Sequence, residues 1–409
     1  MAPRRSWADL TIDLVAGIAA RVPCLADRVN AAWACRTWCE GVLLELDPPP
    51  PQLPWLLRPF RSPRDLKRDG IPRALFFCVL CDRIHCAAVP DYTRGARFFG
   101  AYPGGWLFLA YGQNFGHGLV NLRTHEWLEL PDHIAWNGFL LQPAPMFIRA
   151  ATLSAPPLPR QGCVAAAIVT FTIVTPAGFY FTSLITFWRM GSRVASCAWE
   201  MNAEDVIYHN GAFHFLNRQG DYLVVCTPQF QNEAPLEHLQ VRAEIRMLPI
   251  HVPHDGARYL VECRGELLMV LRLQPPQQAT LAFRVFRFRM TQNHDPYDWS
   301  ELPALDGRML FVGRGCSRSF EAAHFPGSQE GVLLKLALVR PNRSDRFKFC
   351  NSRRSRWPAD PRATLDYSSS DGVPSELGFL GLHDLPTRSG LTGSIDRQEL
   401  AVVMVVLRV

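Results

Sequence analysis

No apolar run in this 409-residue chain approaches the roughly 20 residues that a membrane-spanning helix needs. The longest late candidate, Leu400 to Leu407, is far too short. A dense basic run interleaved with aromatics is also missing, and the formal charge of +6 is spread thinly, which sets nucleic acid aside as a partner. The opening Met1-Ala-Pro-Arg-Arg is not followed by a secretion-type apolar stretch, because Asp9 and Asp13 interrupt it. Twelve cysteines lack the regular spacing of a secreted disulfide framework and read as reduced thiols, which places the chain in the cytoplasm and/or nucleus. Apolar residues at 48% and charged residues at 20% exclude wholesale disorder.

Catalytic signatures are missing as well. The twelve histidines form no His-Glu-x-x-His pairing, and the acidic residues are dispersed without the paired context of a glycosidase. Gly313-x-Gly315 lacks the Gly-Lys-Ser/Thr ending of a phosphate loop and reads as a tight turn with close backbone approach. Cys316 has no nominated base. Cys78-x-x-Cys81 with His85-Cys86 invites a zinc reading, but no second Cys-x-x-Cys follows at a finger-like spacing. Phe76-Phe-Cys-Val-Leu then reads as a buried strand with cysteine as a small apolar residue. The expectation is therefore no catalytic residue, no cofactor and no metal.

What is present begins at the N-terminus. Leu14 and Ile18 lie four apart, as do Val29 and Trp33, while Cys35, Trp38 and Val42 step by three and four, so each set shares a helical face. Three helices this short bury little apolar surface alone and must lean on a partner. From about residue 70 the period becomes strand-like. Asp205 to Cys226 reads as three strands, turned first at Asn210-Gly211 and then at Gln219-Gly220-Asp221. Tyr259 to Val270 repeats the plan around Gly265, Leu119 to Pro131 has the shape of a hairpin, and Phe283 to Met290 alternates apolar and basic residues. Comparable hairpins recur near Trp106, Val164, Ile207, Leu260 and Leu310, with a sixth expected near the C-terminus to close a small propeller. A pair of β-sandwiches is the alternative.

The order Leu10-Thr-Ile-Asp13-Leu14, an apolar-Pro turn at Val22-Pro23, Leu25-x-Asp27-Arg28 and Cys35-Arg-x-Trp38 resembles the F-box, by which substrate receptors dock onto the Skp-type adaptor of cullin-type ubiquitin ligases. It departs from that pattern at Thr11, Asn30, Ala34 and Cys39. The step Pro50-Pro-Gln-Leu-Pro54-Trp55-Leu and the segment Gly313-Arg-Gly-Cys-Ser317 resemble plant F-box proteins with a C-terminal kelch-like (KIB-type) β-propeller region. The resemblance implies an α + β multidomain chain: F-box 1–46, Pro-rich linker 47–70, β-propeller-like recognition domain 71–365 and a divergent tail 366–409. The tail carries no blade pattern past Asp366 and reads as an altered frame, a retained intron or a diverged last blade. A basic, Ser-rich stretch at 340–362 precedes it.

Carried over residue by residue, the resemblance implies adaptor contacts at Leu10, Asp13, Leu14, Ile18, Leu25, Arg28 and Trp38, with Ile12 and Cys35 packing the module itself. The implied partners are the adaptor, through it a cullin, and a protein target of unknown identity. No nucleic acid and no membrane is expected. The alternative is a propeller scaffold that no longer engages the adaptor. Loops carrying Asp132-His133, Gln229 to Glu237 and Gln274 to Gln278 are placed to meet the target.

Overall fold

In the computed structural model of the protein, residues 6–44 and 53–58, most of 73–334, and 404–405 are described. The chain divides into one unit of Met1–Ser352 with Leu400–Val409 and a second, Arg353–Glu399, which lies outside the described residues. Most of the Pro-rich stretch, the basic stretch at 340–362, and the loops at 230–237 and 274–278 lie outside them too.

Three helices open the first unit: α1 (Ile12–Arg21), α2 (Leu25–Ala32) and α3 (Arg36–Leu44). A single 3-10 turn, Trp7–Asp9, precedes them, closed by Ser6 and Asp9 in a reciprocal cap. Thr11 occupies the N-cap of α1 with an extended backbone but makes no side-chain cap bond. The core of the module is small: Val15, Ala19 and Val42, flanked by Leu10, Ala31, Ala32 and Trp38. α1 and α3 cross at Gly41, where an added Cβ would lie 2.7 Å from Val15 Cγ1 and 2.9 Å from the Ile12 carbonyl oxygen. Glycine there permits the close approach.

Six sheets follow. The first pairs Trp55–Arg58 with Arg73–Cys78 and Arg83–Ala88. The second runs Arg97–Tyr102, Trp106–Ala110, His117–Asn121 and Trp127–Glu129. The third is built on Phe147–Leu153, Val164–Thr175, Gly178–Arg189 and Val194–Glu200, and is extended by His133–Ala135 and Ala144–Pro145. The fourth runs Ala203–His209, Ala212–Asn217, Tyr222–Gln229 and Gln240–Met247, and the fifth Ala257–Cys263, Glu266–Leu273, Ala282–Met290 and Tyr297–Glu301. The sixth holds Arg308–Val312 between Arg318–Glu321 and Gly331–Leu334. The five hairpin anchors expected from sequence fall in five of these sheets, one each.

Apolar clusters join each sheet to the next. Phe76 packs with Phe98 and Leu107, and Phe108 with Ala165 and Trp188. Phe187 packs with Phe213 and Phe215, and Ile207 with Leu260 and Met269. Val261 meets Leu310, and Phe311 returns to Leu56 and Phe77 of the first sheet. Sheets packed face to face in a closed succession make a β-propeller, not a sandwich pair. Sheets covered on both faces favour unbroken apolar runs, so Trp106–Ala110 and Met309–Val312 are buried throughout.

Two boundaries differ from the sequence reading. Trp55–Arg58, inside the expected linker, is already a strand. Met404–Val405, in the tail where no blade pattern was expected, pairs antiparallel with Trp55 and Leu56 and completes the first sheet. Pairing strands from both ends of the chain in one sheet ties the ring together at the junction.

Candidate functional site

The helical module carries the first candidate surface. Among the described residues, half of the exposed large apolar side chains sit in its first 44 positions: Trp7, Ile12, Leu14, Trp33, Leu43 and Leu44. Leu14 is 57% exposed and Trp33 84%. α1 turns Val15, Ala16 and Ala19 inward, so the Leu14/Ile18 stripe faces away from the core, with Ile18 half-buried. Trp33 does not continue the face of Val29, because α2 ends at Ala32 and Trp33 is its C-cap.

The residues expected at an adaptor contact therefore divide. Asp13 and Leu14 are exposed, and Leu10, Ile18 and Trp38 are half-buried, with Trp38 Nε1 donating to the Trp7 carbonyl at 3.0 Å. Leu25 and Arg28 are buried within the chain. Arg28 donates from Nε to the Val22 carbonyl at 2.6 Å and from Nη2 to that of Ala20 at 3.2 Å, so it satisfies acceptors at the end of α1. Ile12 is exposed instead of packing the module, and Cys35 is half-buried. Sequence reasoning missed Trp7, Leu43 and Leu44, since nothing local separates an outward leucine from an inward one at a helix end.

The second feature lies where the sixth sheet meets the second, third and fourth. Gly313 to Arg318 forms the expected tight turn, with Cys316 N donating to the Gly313 carbonyl at 3.0 Å and Ser317 Oγ to the same oxygen at 3.1 Å. At Gly315 (φ +72°) a Cβ would lie 2.1 Å from the Ala151 carbonyl oxygen, so no side chain fits. Asp205 is fully buried beneath this turn and accepts backbone N–H bonds from Gly315 (2.7 Å), Leu260 (2.7 Å) and Val206 (2.8 Å). Burial pushes its carboxyl up to about 7 against the pull of those donors. Neighbouring Glu204, also buried, lies 3.5 Å from Arg314 Nη2 and 3.6 Å from Arg258 Nη1. Arg318 donates to the Ala101 carbonyl at 3.2 Å, so one turn ties the sixth sheet to the second and fourth. Sealed from solvent, Asp205 is a clasp and not an acid or base for a substrate.

A third grouping joins the module to the first sheet. Cys78 ends one strand, Cys81 sits in the following turn, and His85 returns on the paired strand, with Cys24 at the N-cap of α2 completing the set. Burial pushes the Cys81 thiol up to about 11, and the hydrogen bond between Cys24 and Cys78 raises the first thiol and lowers the second. The side chain of Cys86 lies outside the described residues.

Of the loops placed to meet a target, Asp132 is occupied. Its carboxylate accepts from the backbone N–H groups of Gly116 and His117, both at 3.0 Å, and lies 2.6 Å from His117 Nδ1. Burial works against its charge, but the His117 ring and those donors outweigh it and hold the carboxyl below the usual range. Next to it, His133 is exposed.

The family model of the KIB1-4 beta-propeller matches residues 75–335. No curated protein matches the chain. Among solved structures, BBS1N in complex with ARL6DN aligns at 12% identity over 62% of this chain and 84% of that one, with a TM-score of 0.22, a likeness too slight to argue from. No helix among the described residues is long and apolar enough to cross a membrane.

Proposed function

This chain belongs to the KIB1-4 beta-propeller family, and from that premise we propose that it is the substrate-recognition subunit of an SCF-type cullin-RING ubiquitin ligase. A β-propeller is suited to protein binding, and the target is assigned to that domain. The helical module serves as the F-box and docks the Skp-type adaptor, through which a cullin is recruited. The subunit does no chemistry itself. It holds the target beside the ubiquitin-loaded conjugating enzyme and raises the effective concentration of acceptor and donor.

The observation that carries this reading is the concentration of exposed apolar side chains on a module too small to bury them. Leu14 heads the adaptor surface, with Asp13 beside it and the exposed parts of Leu10, Ile18 and Trp38 around it; Trp7, Trp33, Leu43 and Leu44 extend it. Leu25 and Arg28 support that surface from beneath. None of the nine cysteines whose side chains are described is in a disulfide, which supports a cytoplasmic and/or nuclear setting.

The test is co-expression of the full chain with the adaptor and purification through a tag on the adaptor. The native chain is expected to co-elute, and Leu14→Arg to be lost from the eluate while remaining soluble and folded. A well-expressed native chain that never co-elutes would leave a propeller scaffold without ligase docking.

A further inference from the structure

We infer that Cys24, Cys78, Cys81 and His85 form a structural zinc site that clamps the three-helix module onto the first sheet of the propeller. The four ligand atoms all lie within 4.8 Å of one another. Cys24 Sγ is 3.7 Å from Cys78 Sγ and 3.3 Å from His85 Nε2, and Cys81 Sγ is 3.2 Å from the same nitrogen. A tetrahedral ion with Zn–S near 2.3 Å and Zn–N near 2.0–2.1 Å sets sulfur–sulfur edges of about 3.8 Å and sulfur–nitrogen edges of about 3.5 Å. These three edges fit that tetrahedron, whereas 3.7 Å is far beyond the roughly 2.05 Å of a disulfide.

The hairpin builds three of the ligands by register. Cys78 pairs with Arg83 and Phe76 with His85, and since successive residues alternate faces, Cys78 and His85 project from the same side of the sheet. The turn between them, with Asp82 at φ +54°, brings Cys81 round to that side. Trp55, paired in register with Cys78, stacks on the His85 ring at 4.9 Å between centroids and 15° between planes, which fixes the imidazole's orientation.

The fourth ligand explains why the sequence hides the site. Cys24 lies 54 residues before Cys78, across the Pro-rich stretch, so no Cys-x-x-Cys repeat marks it. It is fully buried at the N-cap of α2, facing the hairpin that carries the other three ligands. Three thiolates and one imidazole are a soft, closed donor set with no open position, which suits a structural zinc and not a catalytic one. A metal here stabilises the arrangement in which the propeller's first sheet and the helical module are one body. This inference is independent of the adaptor reading, because metal content is measured without any partner.

The test is metal analysis of the reduced full chain, purified without chelator, beside Cys24→Ser, His85→Ala and the control Cys226→Ser in the fourth sheet. The native and control chains are expected to carry about one zinc each, and the two ligand variants less than a tenth of that. Cobalt loaded into the native chain should give thiolate-to-metal absorption in the near ultraviolet that Cys24→Ser loses. Should Cys24→Ser fail to fold, chelation of the native chain replaces it, and hydrogen exchange in α1, α2 and α3 should accelerate several-fold. Any of three results overturns the inference: a folded native chain with neither zinc nor a cobalt spectrum, full zinc in Cys24→Ser, or a Cys24–Cys78 disulfide in the purified protein.

Discussion

His214 shows how burial of a single side chain sets a pH dependence. It is 5% exposed, with its ring against that of His209 at 5.6 Å. Burial, reinforced by His209 and Arg246, pushes it down to about 4 from an ordinary 6.5. A depressed histidine stays neutral in the fold while the unfolded chain takes up its proton, so stability is lost as pH falls from about 6.5 through 4, by about 3 kcal/mol in all. Asp205 acts in the opposite sense: with its carboxyl raised to about 7, its share of stability is fullest below the ordinary carboxylate range and falls as pH rises through 7. A wild-type profile mixes the two. The difference in melting temperature between His214→Phe and the native chain isolates the histidine, and it should move in the variant's favour as pH drops from 7 to 4.5. A difference independent of pH would contradict the assignment. Nothing at the residue scale in sequence separates His214 from an exposed histidine, because strand alternation does not say that both faces of a sheet are covered.

At the scale of elements much was legible. Asn210-Gly211 turns the hairpin between Ala203–His209 and Ala212–Asn217 with φ of +48° and +80°, as a two-residue turn of this type requires. The three short helices follow from their periodicity, yet which side each turns inward did not. The spacing of Leu14 and Ile18 is compatible with a core stripe, and only the crossing of α3 over Val15 decides against it. That crossing makes a prediction. Gly41→Ala places a methyl group against Val15 and the Ile12 carbonyl, and the overpacking should cost about 1–3 kcal/mol, less up to about 1 kcal/mol regained in helix propensity. Hydrogen exchange should accelerate in α1 and α3 while the strands of the fourth and fifth sheets keep their protection. Unchanged exchange in α1 would mean that the two helices do not touch there.

For the whole molecule, the contacts that close the ring are the ones sequence could not supply. Asp205 and Gly315 are 110 residues apart, and Leu56 and Met404 are brought together from opposite ends of the chain. Local pattern found the hairpins but not the clasp that joins them. Asp205→Asn turns an amide donor toward one of three backbone N–H groups and leaves it buried without an acceptor, a loss of about 1–3 kcal/mol. The melting temperature of the propeller should fall accordingly, and a variant as stable as the native chain would remove Asp205 from the closure of the ring.

We propose that the helical module docks a ligase adaptor while the propeller stands ready for a target, and calorimetric titration of the adaptor into the purified full chain is the decisive measurement. The native chain is predicted to bind at a single site. Leu14→Arg should lose about 2 kcal/mol or more, roughly thirty-fold in affinity, with no change in melting temperature because Leu14 is exposed. No heat of binding from a folded native chain, or equal affinity in Leu14→Arg, would contradict it.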